Sequence, residues 1–257
     1  MIVDVQVNQA TVTWPQAQAL ARRAEAGGFG AVWVFDHLAG VALGGDSMLE
    51  AFTLLGALAA TTTTIELGTM VANVHNRTPA LLATAAATVD AIAGRPFHLG
   101  LGSGTSPGSR WAAEMVAAGQ AVEPDAAVRT ANLRRTLDTL DRLWSPARGA
   151  ELATFPRPRH GTSVIIGASG TELAALAGAR ADGLNVDWTH PRRQELLDVA
   201  VAARGGREGF ELSAWTPWDD TLLDPDSPAG AEARRTLDRL VLVAPREPER
   251  VADGANP

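Results

Sequence analysis

Glu66 to Thr105 reads ELGTMVANVHNRTPALLATAAATVDAIAGRPFHLGLGSGT, and the order of its parts decides the fold. ELGTMV (Glu66 to Val71) is strand-like, and Ala72 to Arg77 is a polar turn. An alanine-rich helix begins near Thr78-Pro79 and closes at Gly94-Arg95. FHLGLGSGT (Phe97 to Thr105) is a second strand that runs into glycines. Strand, helix, strand with a crossover of roughly thirty residues is the βαβ unit of a parallel sheet. Ligands of parallel α/β folds sit at the carboxyl ends of the strands. This unit therefore places its most permissive backbone where a site is expected.

The same grammar extends in both directions. Ile2 to Val7 is a short strand, and Thr13 and Gln16 have capping-box spacing with Pro15 in the first helical turn. Trp14, Ala17, Leu20, Ala21 and Ala24 form the apolar stripe of that helix. AVWVF (Ala31 to Phe35) has the continuous apolar character of a strand buried on both faces, and ends in Asp36-His37. Ser47 and Glu50 repeat the capping spacing before a helix from Met48 to about Ala60. Beyond the central unit come a short helix around Trp111 to Ala118 and a longer one bearing Leu133, Leu137, Leu140 and Trp144. A buried strand follows at Ser163 to Ile166, then a helix capped by Ser169 with Glu172. Further strands are expected at Leu184 to Asp187 and Phe210 to Trp215, with helices from Pro191 and from about Ala229. Leu240 to Val243 is either a last strand or the tail of that helix.

Strand centres near residues 4, 33, 68, 99, 165, 185, 212 and 242 suggest a (β/α)8 TIM barrel, a single domain over residues 1–257. A doubly wound sheet is the alternative, weakened because the first strand–helix loop, Asn8 to Thr13, lacks GxGxxG.

Composition excludes several chemistries. The chain has no cysteine, so disulfides, thiolate nucleophiles and cysteine–zinc sites are out. It has no lysine either; all 22 cationic side chains are arginine, which removes Schiff-base and P-loop mechanisms. A formal charge of −7 argues against a nucleic-acid partner. No apolar run approaches the roughly 20 residues that span a bilayer, and MIVDVQVN does not resemble an export signal. The expected location is the cytoplasm.

Asp36 and His37 stand where a buried strand ends, and imidazole holds or releases a proton near neutral pH. Helix capping by Asp36 and simple packing of His37 explain the same letters. Gly102, Ser103, Gly104 and Thr105 permit backbone to approach a ligand, or form an ordinary turn. Gly167, Ala168, Ser169, Gly170 and Thr171, with a helix starting at once, describe an anion-binding helix N-terminus or a tight turn. Met70-Val71 is an apolar strand end without a chemical handle. Arg77 and Arg110, near the same strand ends, are candidates to hold an anionic tail. His98 faces into or away from the barrel, while His75, His160 and His190 are loop or cap residues. No metal-ligand spacing appears.

Taken in order, GFGAVWVFDHL (Gly28 to Leu38), EAFTLLGALAATTTTIELGTMV (Glu50 to Val71), RTPALLA (Arg77 to Ala83), AGR (Ala93 to Arg95) and LGLGSG resemble the luciferase-like flavin and deazaflavin oxidoreductases. The likeness resumes at VIIGASGTELAALAGARADGLN (Val164 to Asn185) and is thin beyond Asp187. It implies a barrel that binds coenzyme F420, or alternatively FMN, across its carboxyl mouth, and passes hydride to or from a small organic substrate. An FMN-dependent monooxygenase, or a relative that binds a flavin without turnover, is the alternative. On this resemblance Met70-Val71 is a bulge after the third strand, often with a non-prolyl cis peptide, that supports the ring. Asp36 bonds the cofactor, His37 lies by the hydride-transfer centre, and Gly167 to Thr171 hold the cofactor phosphate. Gly102 to Thr105 line the same mouth. An actinobacterial kind of composition favours F420. The resemblance also implies a homodimer, for which the alanine-rich helices 48–60 and 78–93 are candidates. Two departures stand out: Thr105 replaces a glutamate common among F420 dehydrogenases, and Val41 lies near the place of a common tryptophan. A sugar-phosphate dehydrogenase is therefore not expected. The chain is also short for the family, with a reduced insertion between the fourth and fifth strands.

Overall fold

Alternation along each strand builds the architecture. In the computed structural model of the chain, which describes residues 1–244 and 251, eight strands run parallel to their neighbours and close on themselves. They are β1 Ile2–Val7, β2 Ala31–Val34, β3 Glu66–Asn73, β4 Phe97–Gly102, β5 Ser163–Gly167, β6 Gly183–Asp187, β7 Glu211–Pro217 and β8 Arg239–Val243. β8 returns to β1 with Asp4 opposite Val241, which closes the ring. The segment left open as strand or helix tail is thus the eighth strand. Residues 245–250 and 252–257 of the expected single domain lie outside the described residues.

The strand wall separates two cores. Residues such as Val3, Val5, Val32, Leu67, Leu99, Ile166, Leu184 and Leu240 pack outward against the helices in one large cluster. Ala31, Trp33, Met70, Ile165 and Val241 form a second, smaller cluster, with Val71 and Trp215 packed on it. The period of two sends neighbouring side chains to opposite faces, so one apolar run serves both cores.

The helices are α1 Trp14–Ala26, α2 Ala51–Thr61, α3 Pro79–Ala93, α4 Ala113–Ala117, α5 Ala126–Trp144, α6 Thr171–Arg180, α7 Arg193–Ala203, α8 Asp220–Leu223 and α9 Pro228–Thr236. The Thr13 N–H donates to Gln16 Oε1 at 2.8 Å, as the capping spacing requires. Three other starts differ from expectation. α2 begins at Ala51, because Glu50 and not Ser47 caps it, its carboxylate accepting from the Thr53 N–H at 2.7 Å. α6 has Gly170 at its N-cap with no side chain bonded there, so Ser169 forms no capping box. α7 starts at Arg193, two residues after Pro191. α3 turns an apolar edge to solvent, with Leu81 and Ile92 about half exposed.

The lumen at the N-terminal end of the strands is filled by charge. Asp4, fully buried, accepts from the Ala31 N–H at 2.8 Å, from Trp33 Nε1 at 2.7 Å and from Arg239 Nη1 at 2.7 Å. Arg239 Nε donates to both oxygens of Glu211 at 3.0 Å. Burial works against the charge of Arg239, but Asp4 and Glu211 more than offset this and hold it above the ordinary arginine value. His98, which faces inward, lies 2.7 Å from Glu66 through Nε2 and 2.7 Å from the Ser163 hydroxyl through Nδ1. Its ring stacks on Trp33 with centroids 5.1 Å apart. Among the described residues this end offers no open mouth of its own; it is a satisfied polar plug.

Candidate functional site at the carboxyl mouth

The expected site residues converge because the ends of β2, β3, β4 and β5 are tied to one another. At the end of β2 the Gln9 amide grips the backbone of Phe35 both ways, donating to its carbonyl at 2.6 Å and accepting its N–H at 3.0 Å. The next residue, Asp36, is 4% exposed. One of its oxygens accepts from the Asn73 N–H at 2.9 Å, and Arg77 Nη1 donates to both oxygens at 2.8 and 2.9 Å. Arg77 also reaches Glu50 and lies over the Phe52 ring. Burial lowers the basicity of Arg77, while Asp36 and Glu50 outweigh that and hold it above the ordinary value. Arg77 is thus consumed by internal carboxylates, which corrects its expected role as a holder of an anionic tail. Asp36 fastens β2 to the turn before α3, with both oxygens engaged.

His37 has a different environment. Its Nδ1 lies 2.7 Å from Glu114 Oε1, and its side chain keeps 21% of its surface exposed. The other oxygen of Glu114 accepts the Leu38 and Ala39 N–H groups at 2.8 and 2.9 Å. Trp111 stacks on the imidazole with centroids 4.8 Å apart and planes at 27°, and Phe35 stands tilted at 6.2 Å. Arg110, the other candidate for an anionic tail, is exposed and lies over the Trp111 ring at 4.1 Å. Nε2 of His37 makes no hydrogen bond among the described residues.

The third strand slips register between Thr69 and Ala72, and the Met70–Val71 peptide is cis, as the resemblance implies. Sequence reading gives Met70 no chemical handle, yet its carbonyl accepts from Gln6 Nε2 at 2.6 Å across the lumen. Gln6 is wholly buried and its Oε1 has no partner. Val71 is half-buried at the mouth. A Cβ on Gly102 would lie 2.6 Å from one Val71 methyl, and a Cβ on Gly167 would lie 2.8 Å from the other. These glycines, read from sequence as room for a ligand, make room for Val71.

The remaining loop residues follow. The Ser103 carbonyl lies 3.1 Å from His75 Nε2. Gly104 has φ +85°, and a side chain there would meet the His75 ring. Thr105 is half-buried at the same rim. Ala168 is buried, its N–H donating to the Asn185 carbonyl at 2.9 Å. Ser169, Gly170 and Thr171 lead into α6, whose N-terminal N–H groups meet no capping side chain. Such an end attracts an anion through its unsatisfied donors and the helix dipole, although Glu172 in the first turn opposes one.

Glu114, Trp111, Gln6 and Gln9 escape sequence reading. Glu114 had one signal, being the single charged residue in WAAEMVAA (Trp111 to Ala118). Its distance of 77 positions from His37 hid the pairing.

A closed parallel barrel with a bulged third strand defines the class: a (β/α)8 barrel, with the candidate residues gathered at its carboxyl end. Within that class the chain belongs to the luciferase-like monooxygenase family, whose model matches residues 3–217. It is 28% identical over 202 residues to the 5,10-methylenetetrahydromethanopterin reductase of Archaeoglobus fulgidus, covering 75% of this chain and 56% of that protein. It is 32% identical over 266 residues to the F420-dependent glucose-6-phosphate dehydrogenase of Nakamurella multipartita, covering 89% and 75%. The fold also matches the crystal structure of the monooxygenase RslO1 from Streptomyces bottropensis, with a TM-score of 0.69 at 18% identity over 100% of this chain and 94% of that one. The chain thus spans little more than half the length of the methanopterin reductase it matches.

Proposed function

We propose that this chain is an oxidoreductase that moves hydride between F420 and a small organic substrate, with His37 exchanging the accompanying proton. FMN is the alternative cofactor. One observation carries the reading: at the carboxyl mouth of a barrel of this family, a largely buried imidazole, 21% exposed, keeps one ring nitrogen without a hydrogen bond among the described residues. The F420 dependence of the glucose-6-phosphate dehydrogenase that the chain resembles supports F420 over FMN. The residues present fit such a cofactor. Val71 offers a half-buried apolar floor, and the uncapped start of α6 at Ser169, Gly170 and Thr171 offers donors to a phosphate. Asp36 contributes by fixing the rim, its carboxylate being already engaged.

A bound deazaflavin or flavin supplies the hydride acceptor or donor. The chain's own residues do the rest. Val71 and the Gln6-held Met70 carbonyl shape the floor. Trp111 and Phe35 flank the imidazole, and Nε2 takes or returns the proton of the substrate heteroatom. Thr105 and Val41 leave glucose 6-phosphate disfavoured as substrate, because neither side chain offers the carboxylic acid or indole found there among the dehydrogenases it resembles.

Titrating the purified protein with F420 and with FMN, by fluorescence and calorimetry, tests this. Micromolar binding of F420 is expected, and failure of both cofactors at that concentration overturns the proposal. Turnover in an oxidoreductase panel is expected to fall about 10²- to 10⁴-fold in His37→Ala while cofactor binding persists. Binding without any turnover in the parent protein would instead favour a cofactor-binding relative, a reading suggested by Thr105.

A further inference from the structure

The carboxylate nearest His37 comes from α4, outside the barrel wall, and its surroundings specify its state. Oε2 of Glu114 receives two backbone N–H groups, from Leu38 at 2.8 Å and Ala39 at 2.9 Å. These are obligate donors, so that oxygen is an acceptor. Oε1 faces only Nδ1 of His37, at 2.7 Å. Burial pushes the Glu114 carboxyl up, but the bonds from His37, Ala39 and Leu38 outweigh this and hold it below the ordinary glutamate range. An ionised carboxylate can only accept.

We infer that Glu114 is the positioning residue for His37, holding the proton on Nδ1 so that Nε2 presents its lone pair to the mouth. The inference rests on the proposed role of His37. Other charged groups nearby are already committed: Asp36 is bound by Arg77, and Arg110 lies on the far ring of the stack. Trp111, stacked on the imidazole at 4.8 Å, favours the ring plane in which Nδ1 meets Glu114. A carboxylate that orients and fixes the tautomer of a working histidine is a recurring catalytic arrangement, and loss of the correct tautomer in such a pair lowers turnover by about 10⁴-fold. Here the orienting group arrives on a five-residue helix that lies between β4 and α5. The β4–α5 connection, shortened though it is, therefore contributes to the site through Trp111 and Glu114 together.

Long-range proton–nitrogen correlation spectra of the ¹⁵N-labelled protein without cofactor report the tautomer of each of its five histidines. His37, assigned by its absence in His37→Ala, is expected as the Nδ1–H form when neutral. In Glu114→Gln the carboxamide oxygen still accepts from Leu38 and Ala39, while its NH2 group faces Nδ1. The expected result is inversion to the Nε2–H form, with F420 affinity within about twofold of the parent. A purely structural role for Glu114, bracing Leu38 and Ala39, would leave the tautomer unmoved and overturn the inference. So would an Nε2–H ring in the parent protein, which decides the matter even if Glu114→Gln does not fold. Failure to bind F420 or FMN defeats the functional reading instead, and the spectrum of the cofactor-free protein distinguishes the two failures.

Discussion

The barrel carries two histidine–glutamate–tryptophan groupings, one at each end, and they differ in one atom. At the N-terminal end His98 stacks on Trp33 and spends both ring nitrogens, on Glu66 and Ser163. At the carboxyl end His37 stacks on Trp111 and spends only Nδ1, on Glu114. The first grouping sits in a closed charge network with Arg239 and Asp4; the second leaves Nε2 without a hydrogen bond among the described residues. The same three residue types thus serve packing where every polar atom is satisfied, and are available for chemistry where one is not. Residue identity alone does not separate the two roles.

The largest expected effect comes from opening the closed end. Arg239→Met leaves Asp4 buried without its cation, and urea unfolding should show a loss of about 3–5 kcal/mol. The double variant with Asp4→Asn should recover much of it, since the cost lies in the unpaired charge. An unchanged midpoint in the single variant would mean that the network is not needed to hold that end together.

Next is the pair of histidine deletions compared side by side. His98→Ala removes the partner of the part-buried Glu66 carboxylate and Ser163 hydroxyl and leaves a cavity against Trp33, with Arg239 still 3.6 Å from Glu66, and should cost about 1–3 kcal/mol. His37→Ala should cost less than about 1 kcal/mol, because Glu114 keeps two backbone donors. Equal losses from the two deletions would erase the distinction between the ends.

The smallest effect sharpens the picture of the N-terminal end through pH. Glu25, at the close of α1, accepts the backbone N–H groups of Thr63, Thr64 and Ile65 at 2.7, 2.5 and 3.1 Å. Burial pushes its carboxyl up, but those bonds prevail and bring it down to about 2 from 4.5. The folded value is depressed, so this contribution is present above pH 4.5 and is lost as pH falls toward 2. Glu25→Gln should therefore flatten the stability profile across that acid window while lowering stability at neutral pH. A parallel profile in the variant would count against the assignment.

The barrel was legible in the sequence because its evidence is local and repeated. Short strand-like runs recur eight times along the chain, most of them followed by a helical pattern, and the closing of the ring on β1 resolves the ambiguous Leu240 to Val243 as a strand. Helix starts were read less well where two candidate caps compete, as at Ser47 and Glu50. The candidate positions share one end of the barrel: Asp36, His37, Val71, Gly102 and Gly167 all lie at the carboxyl ends of β2 to β5. Their division of labour was not legible, because it depends on partners far along the chain. Arg77 is claimed by Asp36, Glu114 returns over 77 positions to His37, and Gln6 crosses the lumen to Met70. None of those pairings leaves a periodic trace.

The arrangement around Val71 also constrains how this protein can change. Neighbouring strands have given up their side chains at Gly102 and Gly167 to house a single isopropyl group. A larger residue at either place must be preceded by a smaller one at 71, so the order of substitution decides which intermediates fold. The depth of the cup is thereby governed from one position, and variation that deepens it has to begin there.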